Sequence, residues 1–253
     1  MKLPFQRATT TATAFAPKCA EFPPIDGAEL SAMVHGARVG GDFYHFMRTT
    51  PRRVVFGLLD VAGQRSENQA IIAATRAKFQ QAACQKFGDE DVNEADAMME
   101  FCMELNASIR QSASAVCVCA AFVGSYSEDF GTICYVNAGH TPGLLRHGND
   151  IAELRATGLP LGLFHGSTYE APIAALVPGS ALLLVSRGVV EALRRKEEFG
   201  LRRVKEHFAG VPLDHGANVV AASVLDAVRQ HLGATPTTND LTTLALVRGA
   251  KGN

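Results

Sequence analysis

The chain has 253 residues, 47% of them hydrophobic and 19% charged, which is a globular composition with enough apolar material for a sizeable core. Lys and Arg number 24 against 25 Asp and Glu, so no global field gathers nucleic acid or an anionic membrane surface. No apolar run approaches the roughly 20 residues of a membrane helix, and Met1-Lys-Leu-Pro-Phe-Gln-Arg7 is broken by polar residues before a secretory segment could form. The composition therefore predicts a cytoplasmic protein with no nucleic-acid or membrane partner. The six cysteines lie mostly in apolar segments with no Cys-x-x-Cys pair, as small core residues do.

Residues 1–26, rich in Thr and Ala and ending at Phe22-Pro-Pro-Ile-Asp26, show no periodicity and read as a flexible or edge-packed N-terminal extension. One domain is expected over 27–250. Apolar segments over 28–39 and 43–47 flank Gly40-Gly41 and suit two strands joined through a turn. The continuous apolar run from Arg53 to Val61 is the pattern of a buried strand that delivers Asp60 to an edge. Ser66 can cap a helix over 66–87, with Gln69 completing a capping box. A second helix is expected over 91–110, with Met98, Phe101, Cys102 and Leu105 on one face. Two consecutive long helices argue against an alternating βαβ sheet.

Segments 115–123 and 131–138 predict a hairpin, followed by short strands at 144–145, 151–154, 168–176 and 181–185. Helices are expected over 188–195, 201–208 and 217–232, before a closing strand over 241–247. The run Arg194-Arg-Lys-Glu-Glu198 then reads as the solvated end of a helix, which Arg202, Arg203 and Lys205 could extend into a docking patch for an acidic partner.

Three acidic tips stand out: Asp42 after Gly40-Gly41, Asp60 at the end of the buried run, and Asp240 at the start of the last strand. Hard cations such as Mg or Mn need such oxygen ligands, and a metal pair can generate hydroxide and clamp a phosphoryl group. Asp and Asn also form ordinary turns, so spacing alone does not define a site. His140 in isolation is a turn histidine donating to a neighbouring carbonyl, and the other histidines read as surface residues.

The local wording adds to this. Val39-Gly-Gly-Asp-Phe-Tyr44, Asp60-Val-Ala-Gly-Gln-Arg65, Asn137-Ala-Gly-His-Thr-Pro142, Gly158-Leu-Pro-Leu-Gly162, Leu182-Leu-Leu-Val-Ser-Arg-Gly-Val-Val-Glu-Ala192 and Asn239-Asp-Leu-Thr242 follow in one order. Together they resemble the metal-dependent protein phosphatase (PPM) family, in the branch typified by the sporulation stage II E phosphatase. The resemblance implies an α+β fold, a central β-sandwich flanked by helices on both outer faces. It also implies two Mg or Mn ions at one end that activate water against phosphoserine or phosphothreonine. Relatives act on small regulatory proteins of the anti-sigma antagonist type, which makes such a phosphoprotein the expected partner; a homodimer is also possible.

By motif matching, Asp60 is the carboxylate that bridges the ions, the Val61 carbonyl a second ligand of the first ion, and Asp42 a direct or water-mediated ligand. The rest departs from the pattern. Arg187 stands where the family has the Asp of Asp-Gly, a ligand of the second ion, and Asn239 where it has the first Asp of Asp-Asp-x-Thr, leaving Asp240 as a substitute. Gln64 and Arg65 replace the His and Gly of Asp-Val-Ser-Gly-His-Gly. Arg38 lies near the place where some relatives hold phosphate.

Two like charges about 4 Å apart repel by roughly 4 kcal/mol at an effective dielectric of 20, and a divalent partner doubles this. The second metal position is therefore expected to be empty, with Mg or Mn at one position, and Arg187 to fork onto Asp60 or Asp42 instead. The expected function is a catalytically impaired phosphatase-family signalling domain. Its alternative is a weak Ser/Thr phosphatase running on one ion.

Overall fold

A computed structural model describes residues 18–19, 22, 24–35, 41–63, 65–113, 117–237 and 239–250. In chain order these form β1 (Lys18–Cys19), β2 (Ala28–His35), β3 (Asp42–Thr50), β4 (Arg53–Val61), α1 (Arg65–Phe87) and α2 (Glu94–Ser112). There follow β5 (Cys119–Ser127), β6 (Thr132–Ala138), β7 (Gly143–His147), β8 (Asp150–Leu154), β9 (Ile173–Ala175), β10 (Ser180–Val185) and α3 (Arg187–Val190). The chain closes with β11 (Leu193–Arg194), β12 (Glu197–Glu198), α4 (Gly200–Gly210), α5 (Gly216–Leu232) and β13 (Leu241–Arg248).

Two antiparallel sheets face each other, one in the order β1-β2-β13-β10-β7-β8 and one in the order β3-β4-β5-β6-β9. Strand alternation sorts the side chains into layers. On β4, Val54, Phe56 and Leu58 meet Leu182, Leu184, Leu244 and Leu246 of the opposite sheet. Val55, Leu59 and Val61 point the other way, onto α1 and α2 through Phe79, Met98, Phe101 and Leu105. On the far side Ala181, Leu183 and Val185 of β10 pack on Val204 and Phe208 of α4 and on Val220, Val224 and Val228 of α5. The result is the α+β sandwich with helices on both faces that the sequence implied.

The elements differ from expectation in a few places. α2 starts at Glu94, because the Asn93 side chain accepts from the amides of Ala95 and Asp96 at 3.1 and 3.3 Å. The N-terminal extension takes the edge-packed form of the two expected: Lys18 and Cys19 pair with Val34 and Met33 at a sheet edge. The helix expected over 188–195 stops at Val190. Beyond it Leu193 and Arg194 pair with Glu198 and Glu197, and the turn between them holds Arg195 and Lys196 at positive φ of 50° and 70°. The charged run is thus a hairpin instead of a helix end. Arg202, Arg203 and Lys205 pair with Glu206, Glu197 and Glu153, so this surface is mixed in charge. His45, expected at the surface, stands edge-on to Phe79 at 4.9 Å, where burial and the neighbouring Arg76 push its pKa down to about 4. No described helix is long and apolar enough to cross a membrane.

Candidate functional site

The antiparallel register of β3 and β4 sets Asp42 directly opposite Asp60 at one end of the sandwich. Gly41 makes this approach possible. Its carbonyl accepts the Val61 amide at 3.3 Å, and a Cβ on it would fall 1.8 Å from the Val61 carbonyl oxygen.

The opposite sheet supplies the second half. β10 ends at Val185, and Ser186 then turns the chain into α3, whose first residue is Arg187. The Ser186 hydroxyl donates to the Asp240 carbonyl at 3.2 Å and accepts the Thr242 amide at 3.1 Å, while its own amide donates to the Thr242 carbonyl at 2.9 Å. Gly188 lies against the same backbone: a Cβ there would meet the Asp240 carbonyl at 2.1 Å. Thr242 then joins the halves, its hydroxyl donating to Asp42 Oδ2 at 2.9 Å across the two sheets.

This arrangement crowds carboxylates. Asp42 is buried at 6% exposure, and burial, then the charge of Asp60, push its pKa up to about 7 against hydrogen bonds from Ser186 and Thr242. Asp60 is raised too, chiefly by burial; Arg187 opposes the shift, while Asp240 and Glu191 add to it. Each carboxylate therefore favours a proton or a nearby cation. Arg187 offers one, with Nε 3.7 Å from Asp60 Oδ2 and 3.8 Å from Glu191 Oε2. This is a single-nitrogen contact at ion-pair distance, not the two-pronged fork expected, and it falls on Asp60 instead of Asp42. The side chain remains 60% exposed.

Of the Asn239–Asp240 pair, Asp240 is the buried residue, and its charge acts on both Asp42 and Asp60. Asn239 is exposed, beside Gly188. Arg65 opens α1, whereas Gln64 and Arg38 lie outside the described residues. Among the described residues, no group of three or more His, Cys, Asp or Glu side chains is arranged to hold a metal ion. The acidic tips thus meet electrostatically without forming a three-carboxylate cage.

A cavity of about 410 Å³ opens beside Asp60 and Arg187, with His140 and Thr141 in its wall. The Asn137 side chain shapes that wall, accepting the His140 amide at 2.8 Å and donating to the Thr141 and Leu154 carbonyls at 3.3 and 3.1 Å. The Thr141 hydroxyl donates to the Val185 carbonyl, one residue before Ser186. His140 Nδ1 lies 3.1 Å from the Thr141 carbonyl, and burial pushes the imidazole pKa down to about 4, so it is neutral near pH 7. His140 is a buried turn residue. The roles of Ser186, Thr242, Asn137 and Thr141 were not apparent in sequence, although all four lie inside the quoted motifs beside more conspicuous charged residues.

Two antiparallel sheets between layers of helices are the fold of the PP2C phosphatase domains on which the chain superposes. Residues 50–248 match the stage II sporulation protein E (SpoIIE) family, and the chain belongs to that family, within the PPM phosphatases. The chain is 25% identical over 172 residues to "Phosphoserine phosphatase RsbU" of Bacillus subtilis, a match covering 67% of this chain and 48% of RsbU. It therefore spans about half the length of that relative. Among solved structures, the SiaA-PP2C domain of Pseudomonas aeruginosa superposes with a TM-score of 0.72 at 18% identity, covering 86% of this chain and 85% of that one. The RsbU and RsbW domains of a Mycobacterium tuberculosis protein give 0.74 at 22% identity, covering 90% and 63%. RsbX in complex with magnesium gives 0.60 at 12% identity, covering 92% and 99%. At these identities the structural matches establish the fold.

Proposed function

We propose that this chain is a SpoIIE-type signalling domain, with its main body over 27–250 and an edge strand at Lys18–Cys19, that recognises a phosphorylated regulatory protein of the anti-sigma antagonist type with little or no turnover. One observation carries the reading: the Arg187 guanidinium lies 3.7 Å from Asp60, on the segment where a carboxylate for the second ion belongs.

The donors that remain suit one hard cation. Asp42, Asp60 and the Val61 carbonyl offer oxygens from two adjacent strands, and the raised pKa values of both acids mean that a cation would relieve their repulsion. Mg or Mn bound there would neutralise phosphate charge and make a bound water more acidic. Thr242 holds Asp42 in place. The guanidinium presents N–H donors on its exposed side to a phosphate, for which its planar geometry is suited. A second divalent ion beside it would meet repulsion of roughly 8 kcal/mol at 4 Å and an effective dielectric of 20. An arriving phosphate is thus held, and the ion pair that would make the nucleophile is incomplete.

The pairing of Asp42 with Asp60 favours one other reading, a weak Mg- or Mn-dependent Ser/Thr phosphatase running on a single ion. Aryl phosphate turnover with manganese, beside binding of a phosphoserine peptide, separates the two. The proposal expects phosphate-dependent binding that weakens at least five-fold in Arg187→Ala, with no turnover above an Asp60→Ala control. Turnover that Asp60→Ala abolishes would establish the enzyme instead.

A further inference from the structure

The cavity beside Asp60 has chemistry that the phosphate site does not use. Asp60 and Arg187 stand at its charged side, and Ala62, Val118, Ala120, Gly139 and Pro160 line the remainder together with the turn of His140 and Thr141. None of these five apolar residues is fully buried: Val118, Ala120 and Pro160 are half-buried, and Ala62 and Gly139 are exposed. Small apolar groups are thus left facing water in a concave site of about 410 Å³, within the range of cavities that hold small ligands.

The walls are fixed by backbone hydrogen bonds. Ala62 donates to the Val118 carbonyl at 2.8 Å, and Cys119 and Leu161 exchange amide-to-carbonyl bonds of 2.9 and 2.8 Å. Isolated bridges tie Ala121 to Gly139 and Ala138 to Gly158. Gly139 has φ +71°, and a Cβ there would lie 2.5 Å from the Pro160 ring, so only glycine lets these two walls meet. The cavity is formed before any ligand arrives, so little ordering cost falls on binding.

We propose that this cavity takes an apolar side chain of the partner phosphoprotein, at the residue adjacent to its phosphorylated serine or threonine. The inference rests on the phosphoprotein reading above. It follows from continuity: the guanidinium offered to the phosphate also lines the cavity, so a phosphate on Arg187 leaves the next residue of its chain over Ala62, Val118 and Ala120. A charged side chain there would be desolvated against apolar walls, and glycine would leave them wet. The cavity therefore discriminates among phosphorylated segments by the neighbour of the phosphorylated residue.

The test measures binding of seven-residue peptides by the full chain using fluorescence anisotropy. Each has a central serine, phosphorylated or not, with leucine, glycine or aspartate placed before or after it. The expected result is that leucine on one side binds at least ten-fold tighter than glycine, with aspartate weaker still. In Ala62→Phe, an exposed turn substitution that fills the cavity, the leucine-to-glycine ratio falls below two. Ala120→Phe, checked for folding by its thermal melt, does the same. Equal affinities for the three peptides with phosphate still required would overturn the cavity proposal alone. A leucine preference that persists without phosphate would uphold the cavity and sink the phosphoprotein reading. Absence of binding by every peptide would overturn both.

Discussion

The Asp42–Asp60 half of the site and the Arg187–Asp240 half are built alike in backbone and differ in charge. In each, a glycine lets two chain segments meet where a Cβ could not fit: Gly41 on the Val61 carbonyl at 1.8 Å, Gly188 on the Asp240 carbonyl at 2.1 Å. In each, hydroxyls tie the acids down, Thr242 on Asp42 and Ser186 on the Asp240 backbone. Yet the first half gathers two facing carboxylates, while the second projects a guanidinium that is 60% exposed. In both halves backbone contacts and hydroxyls set the geometry, and the residue at the tip sets the charge.

The largest effects should come from the shared scaffold. Gly41→Ala and Gly188→Ala force backbone apart and should each cost roughly 3 kcal/mol in urea denaturation. If Gly188→Ala were neutral, the two halves would not be equally tight. Arg53→Ala serves as a reference of similar size, about 3 kcal/mol, because the buried Arg53 pairs with Glu94 at 3.0 Å and donates to the Asp89 and Glu90 carbonyls.

Acid sharpens the contrast through groups of opposite sign. Asp42 keeps its proton in the fold up to about pH 7, whereas the unfolded chain releases it near 3.8. Its contribution is present below pH 3.8 and lost as pH rises towards 7. His45 and His140, held down to about 4, stay neutral in the fold while the unfolded chain protonates near 6.5. Their contribution is present above pH 6.5 and lost as pH falls towards 4. Thermal melts across pH 4 to 8 should therefore show Asp42→Asn gaining relative stability at the alkaline end and His45→Phe at the acid end. Parallel curves for wild type and both variants would contradict these assignments. The smallest effect should be that of Arg187→Gln on stability, within about 0.5 kcal/mol, because both ion pairs of this exposed side chain exceed 3.6 Å. A larger loss would make the arginine a structural residue instead of a recognition one.

Much of the fold was legible because its strands are buried on both faces. The run over 181–185 is wholly apolar, those over 53–61 and 241–247 are mostly so without alternation, and each appears with nearly the expected bounds. The hairpin of β11 and β12 was not legible. Leu193-Arg-Arg-Lys-Glu-Glu198 consists of good helix formers, and nothing in it marks a turn at Arg195 and Lys196. Tertiary contacts decide it: Arg194 donates to the His231 carbonyl at 2.9 Å, and Phe199 is buried beneath. In the site, the acids were visible as charges at the ends of apolar runs. The inward position of Asp240 over Asn239 was not, because both suit the start of a strand and only the packing of Ser186 and Gly188 on that segment separates them.

The stoichiometry of manganese binding, read by isothermal calorimetry, tests the proposal that the Arg187 guanidinium stands in for a second metal ion. Wild type should bind no more than one ion per chain, and the Arg187→Asp/Asn239→Asp variant should bind two, the second at least ten-fold tighter than any second site in wild type. Two manganese ions of comparable affinity in wild type, with the isotherm unchanged in the double variant, would mean that Arg187 excludes no ion.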